Sequence, residues 1–211
     1  MMGYLDCKDN IYFDKLKEIS EIIKKGGIVV FPTETVYGIG TNGLNKDAIS
    51  RLYDVKQRPK TKPISLLVSS IDMVEKVACD ITNMEYKLME KFFPGPLTII
   101  LKKKSIVPDN LTNNTDTVGI RMPDNIIAKK LIEYAKVPIA TPSANISGKP
   151  SGTNIENIME NFKDKVDYYI DGGQSKLGIG STIVKVENGY PLILREGSIS
   201  KEQIFECLEI K

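Results

Sequence analysis

Short apolar runs alternate with amphipathic helical patterns along most of this sequence. The first helical pattern consists of Leu16, Ile19, Ile22 and Ile23 and ends at Gly26 and Gly27, as glycine commonly ends a helix. A β-branched run at residues 28–31 follows, which is typical of a buried strand. Strands that alternate with helices favour an α/β or α+β domain, so we expect one twisted sheet flanked by helices.

The remaining patterns continue this alternation. Asn45 is placed to cap a second helix, which carries Ile49, Leu52, Tyr53 and Val55 on one face. Further helices are predicted at residues 71–77, 84–92, 126–135, 155–162 and 201–208, and further strands at residues 64–68, 97–101, 118–121, 137–141, 168–170, 182–186 and 192–194. Because no linker, internal repeat or low-complexity tract interrupts the pattern, residues 1–211 are expected to form a single domain.

The chain contains no histidine, which narrows the chemistry it can perform. Ser-His-Asp hydrolysis would lack its base, and a zinc site would lack its commonest ligand. The three cysteines, Cys7, Cys79 and Cys207, lie far apart without metal-site spacing, which suits a reducing compartment. A reaction here would rely on charge, positioning and hydroxyl groups, with a hard cation such as Mg²⁺ held by substrate phosphates and no metal ligands from the protein.

Charge and hydropathy bear on location and partners. Lys plus Arg number 29 against 27 Asp plus Glu, and a net charge of +2 is too small to attract nucleic acid over the whole surface. The apolar runs are shorter than the roughly 20 residues of a membrane helix, and residues 1–10 lack a signal-peptide pattern. We therefore expect a cytoplasmic protein without membrane contact, whose binding site for polyanions is local.

A basic loop at residues 56–63 holds four cations, two of them directly before prolines. Lys56, Arg58, Lys60 and Lys62 provide the charges, and the prolines restrict the loop before any ligand arrives. Such a run is usually a solvated surface loop. It also fits a phosphate clamp, with lysine as a point charge and arginine as a planar fork. The P-loop pattern G-x-x-x-x-G-K-[ST] is missing, so a bound nucleotide would be held in another way.

Polar segments also occur at the ends of several predicted strands. They are PTETVYG (32–38), TVGIRMP (117–123), TPSANISG (141–148), GIGSTI (178–183) and LREG (194–197). Each segment alone fits a turn, a polar loop or a surface charge. Because open α/β sheets bind ligands at strand ends, their shared position predicts one common site.

The glycines of GIGTNG (38–43) match the dinucleotide-binding fingerprint G-x-G-x-x-G in form. A Rossmann turn passes directly from strand to glycine, whereas residues 32–37 intervene here, and no acidic residue ends a following strand at the right distance. We therefore interpret these glycines as a turn that lets the backbone approach a ligand.

Seven segments together resemble the threonylcarbamoyl-adenylate synthase family, whose defining unit is the YrdC-like domain. In order they are PTETVYG, KQRPKTKP, FPGPLT, TVGIRMP, TPSANISG, GIGSTI and LREG, and the match covers residues 26–197. The resemblance implies a twisted mixed sheet around a concave, positively charged cavity, in the short single-domain form. It also implies a nucleotidyltransferase that forms threonylcarbamoyl-AMP and diphosphate from L-threonine, bicarbonate or CO₂, and ATP, for the N6-threonylcarbamoyladenosine modification of tRNA.

The resemblance carries roles to individual residues of this chain. The L-threonine contacts would be Thr35, Arg121, Thr141 and Ser181, with Arg121 as the fork for the carboxylate. The ATP contacts would be Arg58, Lys62, Thr117, Ser143, Ser151 and Arg195. The catalytic residues would be Lys56, Arg58, Ser143 and Asn145, which match the K-x-R and S-x-N elements around the triphosphate. Leu67 stands where some relatives have a histidine near bound threonine.

The implied partners are ATP with Mg²⁺ on its phosphates, L-threonine and bicarbonate or CO₂. Transfer RNA or double-stranded RNA, and a downstream threonylcarbamoyl transferase complex, are expected as further partners. One alternative is carbamoyl transfer to AMP, as in related domains of larger chains, although the zinc-finger cysteines and acylphosphatase-like segment of those chains are missing. Another is a module that holds RNA on a basic concave surface. Pyrophosphate release that depends on threonine and bicarbonate would separate the synthase from the RNA-binding module.

Overall fold

The computed structural model describes residues 2–210 and places eleven strands of this range in one mixed sheet. The strands are β1 (Gly3–Asp6), β2 (Val29–Phe31), β3 (Gly38–Asn42), β4 (Leu66–Leu67), β5 (Ala78–Cys79), β6 (Leu97–Lys103), β7 (Thr117–Arg121), β8 (Ile139–Ala140), β9 (Tyr168–Asp171), β10 (Thr182–Glu187) and β11 (Tyr190–Arg195). Their order is β1-β9-β2-β3-β8-β4-β7-β6-β10-β11, and β5 pairs with β6. The strand β7 pairs in parallel with β4 and antiparallel with β6, so the predicted mixed sheet is confirmed.

Eight α-helices of the described range surround the sheet. They are α1 (Phe13–Lys24), α2 (Lys46–Lys56), α3 (Ile71–Val77), α4 (Asn83–Phe92), α5 (Asp109–Thr112), α6 (Ile126–Ala135), α7 (Ile155–Phe162) and α8 (Lys201–Cys207). The predicted cap of α2 is present, because Oδ1 of Asn45 accepts hydrogen bonds from the backbone N–H groups of Asp47 and Ala48, both at 3.0 Å. Across residues 2–210, no helix combines the length and apolarity needed to cross a membrane.

The hydrophobic core lies between the sheet and its helices. Leu16, Ile19 and Ile23 of the predicted apolar face of α1 are fully buried, whereas Ile22 is half-buried. The helix α1 packs against α6 and against β2 and β3. Each such side chain contributes about 1.5–3 kcal/mol by leaving water. This packing fixes the ends of the strands, where the polar segments lie.

The interpretation of residues 38–43 as a turn was wrong. Residues Gly38–Asn42 form β3, which pairs antiparallel with β2 and places Gly40 opposite Val29. The glycines serve close packing: a Cβ atom at Gly38 would lie 2.5 Å from Cγ2 of Thr141, and one at Gly40 would lie 2.6 Å from Cγ2 of Ile139. A strand with glycines at these positions lets β8 and its following loop approach closely.

Candidate functional site

A cavity opens where the polar segments of the sheet meet. Eight of the residues to which the resemblance assigns a role line it: Thr35, Arg58, Arg121, Thr141, Ser143, Ser151, Ser181 and Arg195. They come from the loop after β2, the loop after α2, the end of β7, the loop after β8, the start of β10 and the end of β11. Residues far apart in sequence are thus brought to one place, as their shared position at strand ends predicted.

The segment PTETVYG forms a tight turn between β2 and β3. The hydroxyl of Thr33 donates to the backbone carbonyl of Val36 at 2.6 Å and lies 2.9 Å from the hydroxyl of Thr35. The buried hydroxyl of Tyr37 donates to the carbonyl of Gly173 at 2.7 Å. These bonds tie the turn to the glycine-rich loop after β9 and hold Thr35 at the cavity wall.

Arg121 ends β7 and is buried at the cavity wall. Its Nε donates to the carbonyl of Gly95 at 3.3 Å, and its Nη2 lies 3.3 Å from the hydroxyl of Thr33. Nη2 also forms an ion pair with Oε1 of Glu34 at 2.7 Å. The orientation of this guanidinium is therefore fixed from three directions before a ligand arrives.

Arg58 is held by its own basic loop. Its Nε donates to the carbonyl of Lys62 at 3.0 Å, and its Nη2 donates to the carbonyl of Pro63 at 2.8 Å. The loop 56–63 is therefore more than a solvated run of charge, because its backbone carbonyls orient one of its own cations toward the cavity.

Ser181 lies between Arg195 and Thr98. Nη2 of Arg195 donates to the hydroxyl of Ser181 at 3.1 Å, and the hydroxyl of Thr98 lies 2.8 Å away on a buried contact. The guanidinium also packs on Gly180, where a Cβ atom would lie 3.2 Å from Nη2. This cluster orients one hydroxyl and one cation at the same wall of the cavity.

Burial affects the pKa of all three cavity arginines, and neighbouring arginine charges affect that of Arg195. Burial lowers the pKa of Arg58, Arg121 and Arg195, and for Arg195 the charges of Arg121 and Arg58 lower the pKa further. An arginine stays charged despite such shifts. No carboxylate of residues 2–210 lines the cavity. The positive charge of the cavity stays a prediction, and these three arginines are the cations among the described residues that line it.

The catalytic role predicted for Lys56 stays a prediction. It is 1% exposed and lies outside the cavity lining, and its ammonium donates to the carbonyl of Ser143 and, at 2.6 Å, to that of Asn145. Burial, and then the charge of Arg58, lower the pKa of Lys56 to about 7. In this arrangement the ammonium of Lys56 connects the end of α2 to the loop after β8.

Three other predicted residues also lie outside the cavity lining. The amide of Asn145 donates to the carbonyls of Ile146 and Lys149, which shapes the loop behind Ser143. Lys62 is exposed on the basic loop. Thr117 begins β7, at the opposite end of that strand from Arg121. The catalytic role of Asn145 and the ATP contacts of Lys62 and Thr117 remain predictions.

Several lining residues were not assigned a role from the sequence. Ser65, Thr98 and Ile183 line the cavity together with Leu67. Thr98 could have been found, because it lies in the segment FPGPLT, which is one of the seven matching segments. Ser65 precedes the two-residue strand β4, and no local pattern marks it. Glu34 is part of PTETVYG, yet its pairing with Arg121 depends on the folded chain.

A family model designated Sua5_yciO_yrdC and described as "Telomere recombination" matches residues 21–197. The chain belongs to the Sua5/YciO/YrdC family. The match covers every segment that contributes to the cavity, from PTETVYG to LREG. The resemblance stated from the motifs is confirmed.

Two curated members of the Sua5/YciO/YrdC family illustrate the match. A Pyrococcus abyssi protein named threonylcarbamoyl-AMP synthase is 40% identical over 200 residues, which are 95% of this chain and 59% of that protein. A Methanocaldococcus jannaschii member is 41% identical over 198 residues, which are 92% of this chain and 93% of that protein. The chain thus spans less than two thirds of the first relative and nearly all of the second.

A solved structure supports the same family fold. The crystal structure of Pyrococcus abyssi Sua5 complexed with L-threonine matches with a TM-score of 0.93 at 39% identity, and the alignment covers 98% of this chain and 60% of that one. The fold that carries the cavity is therefore shared with a family member that binds L-threonine.

Proposed function

We propose that this chain is a threonylcarbamoyl-AMP synthase that binds ATP and L-threonine in the cavity. One observation carries the proposal: the cavity joins three arginines to the hydroxyls of Thr35, Thr141, Ser143, Ser151 and Ser181. Guanidinium groups suit the carboxylate of an amino acid and the phosphates of ATP, and hydroxyl groups suit their remaining polar atoms. A named synthase and a threonine-bound structure with the same fold support this choice.

The L-threonine half of the proposed site surrounds Arg121. This guanidinium binds the carboxylate of threonine, and the hydroxyls of Thr35, Thr141 and Ser181 contact its other polar groups. Leu67 lines the same cavity. At this position some relatives have a histidine, whereas this chain has an apolar side chain.

The ATP half of the proposed site contains Arg58, Ser143, Ser151 and Arg195. Arg58 and Arg195 are held by backbone carbonyls, so their charges are presented without a carboxylate partner in the described residues. Such preorganised cations stabilise charge that develops on transferring phosphates. Lys62 and Thr117 are proposed as outer contacts to the nucleotide.

The proposed chemistry relies on alignment. The amine of threonine attacks CO₂, a nitrogen–carbon bond forms, and loss of one proton leaves a carbamate. A carbamate oxygen then attacks the α-phosphorus of ATP, the bond to the bridging oxygen breaks, and diphosphate leaves with that electron pair. Arg58 and Arg195 stabilise the phosphate charge, and Mg²⁺ enters as part of the ATP substrate. Lys56 and Asn145 act by holding the loop of Ser143.

Further parts of the proposal concern the whole protein. We place it in the cytoplasm as an enzyme that delivers threonylcarbamoyl-AMP to a downstream transferase complex for tRNA modification. Transfer RNA or double-stranded RNA is proposed as an additional ligand of the basic surface around loop 56–63.

The proposal is tested by pyrophosphate release from ATP. We expect release that requires both L-threonine and bicarbonate, and we expect Arg58→Ala to lower it by about 100-fold or more because a fixed cation at the phosphates is lost. Arg51→Ala is the matched control, because Arg51 pairs with Asp167 on the surface and does not line the cavity. Release without threonine, or near-normal release by Arg58→Ala, would contradict the proposal. Salt-sensitive tRNA binding without release would favour the RNA-binding module.

A further inference from the structure

Glu34 is a buried carboxylate with one charged partner. It is 6% exposed, and its Oε1 lies 2.7 Å from Nη2 of Arg121. Apart from this ion pair, neither carboxylate oxygen has a polar partner in the described part of the chain. Glu34 does not line the cavity; it lines a separate recess with Thr33 and Ser175. Its charge is therefore applied to Arg121 from outside the binding site.

The other two cavity arginines are held differently. Arg58 donates to the carbonyls of Lys62 and Pro63, and Arg195 donates to the carbonyl of Ser181. Carbonyl groups orient a guanidinium without cancelling its charge. Of the three, Arg121 is the one with a carboxylate partner in residues 2–210. The positive charge of Arg121 is thus compensated by a carboxylate, whereas the charges of Arg58 and Arg195 are uncompensated.

We propose that Glu34 divides the anion site into two parts of different charge. Resting on the proposed function, the compensated Arg121 receives the singly charged carboxylate of threonine, and the uncompensated Arg58 and Arg195 receive the polyphosphate. A triphosphate carries several negative charges, so the nearby carboxylate of Glu34 repels it more strongly than a single carboxylate. Glu34 is a positioning and selectivity residue, because it acts through Arg121 and does not touch substrate.

The hydrogen bonds of Arg121 support the same division. Gly95, Thr33 and Glu34 engage its Nε and Nη2, whereas Nη1 has no protein partner among residues 2–210. Because few hydrogen-bond donors of Arg121 remain free, its guanidinium suits one small carboxylate better than an extended polyphosphate. Glu34 thus limits both the charge and the donors that Arg121 offers.

The test measures binding of inorganic triphosphate by calorimetry, without adenosine or threonine. We expect Glu34→Gln, which keeps the shape but removes the charge, to bind triphosphate about 10-fold more tightly than the parent. The matched control is Glu85→Gln, a buried carboxylate in the capping box of α4, where glutamine is also compatible; its triphosphate affinity should equal that of the parent. Adding Arg121→Met to Glu34→Gln should abolish the gain.

A second readout is competition with L-threonine. In the parent, triphosphate should leave threonine affinity unchanged, and in Glu34→Gln it should compete with threonine. Unchanged triphosphate affinity in Glu34→Gln, or a gain that persists without Arg121, would overturn the proposal. Should Glu34→Gln not fold, the parent protein decides alone, and competition between triphosphate and L-threonine in the parent would overturn the proposal.

The failure of the proposed function is distinguishable from the failure of this inference. A parent protein that does not bind L-threonine would contradict the proposed function. The comparison of triphosphate binding between parent, Glu34→Gln and Glu85→Gln would still decide whether Glu34 keeps polyphosphate away from Arg121.

Discussion

Arg195 holds Ser181 through three hydrogen bonds. Its Nε and Nη2 donate to the backbone carbonyl of Ser181 at 3.0 and 2.7 Å, and Nη2 also donates to the hydroxyl at 3.1 Å. In the proposed site Arg195 belongs to the ATP half and Ser181 to the threonine half. The two halves are therefore physically connected through one guanidinium.

Replacing Arg195 with lysine should impair both halves. Lysine keeps the charge but cannot donate in parallel to one carbonyl. Hydrogen bonds to a charged group are worth about 1.5–3 kcal/mol, so kcat/KM should fall by about 10- to 100-fold. Steady-state pyrophosphate release at varied ATP and at varied threonine measures the effect, with Arg51→Lys as the control. A change confined to the KM for ATP would contradict the connection through Ser181.

Thr98→Val should raise the KM for threonine by about 5-fold and leave the KM for ATP nearly unchanged. The substitution removes the hydroxyl that lies 2.8 Å from the hydroxyl of Ser181, at nearly constant volume. Ser181 then loses a partner that fixes its orientation. Titration of each substrate at saturating levels of the other measures the two constants. Equal effects on both constants would contradict a role of Thr98 in the threonine half.

Gly197→Ala should destabilise the protein, whereas Gly180→Ala should be nearly neutral for stability. A Cβ atom at Gly197 would lie 2.2 Å from the backbone carbonyl oxygen of Gly180, and backbone must then move. A Cβ atom at Gly180 meets the end of the Arg195 side chain, which can shift. We expect a loss of about 1–3 kcal/mol for Gly197→Ala in urea unfolding. Equal stability of the two variants would contradict this difference.

Stability should depend on pH through Lys56. Burial lowers the pKa of Lys56 to about 7, so the unfolded chain binds this proton more strongly than the folded chain. Stability therefore rises with pH from about 7 to 10, and it is insensitive to Lys56 below that range, where both states are protonated. The carbonyls of Ser143 and Asn145 favour the ammonium and move the start of the window upward.

The dependence of stability on pH is measured by thermal unfolding of the parent and of Lys56→Met at about four pH values between pH 6 and 10. The parent should gain stability relative to Lys56→Met as pH rises through the window. A difference that stays constant across the window, or that shrinks, would contradict the titration of Lys56 in the folded protein.

Local sequence patterns predicted every helix of the described range except the four-residue α5 and missed some strands for physical reasons. The helices at 71–77, 126–135 and 155–162 match, because caps and apolar spacing are local properties. The strand β3 was missed, because its glycines lack side chains that favour a strand and are required only by the approach of Thr141 and Ile139. The strand β1 is four residues long and pairs with β9, so it is defined by a partner far along the chain.

The candidate site was predictable where a residue reaches the cavity directly. Arg58, Arg121 and Arg195 carry their chemistry in the side chain; the motifs place Arg121 and Arg195 at strand ends and Arg58 in the basic loop after α2. The positions of Lys56 and Glu34 depend on contacts made only after folding, with Ser143 in one case and Arg121 in the other. A motif can mark such residues as important, but it cannot show that they act through a neighbour.

The most direct measurement is mass spectrometry of the product formed from ATP, L-threonine and isotopically labelled bicarbonate. We expect threonylcarbamoyl-AMP with the label in its carbamoyl carbon, formed together with an equal amount of diphosphate. Formation of diphosphate with AMP alone, or of an adenylate without the label, would contradict it.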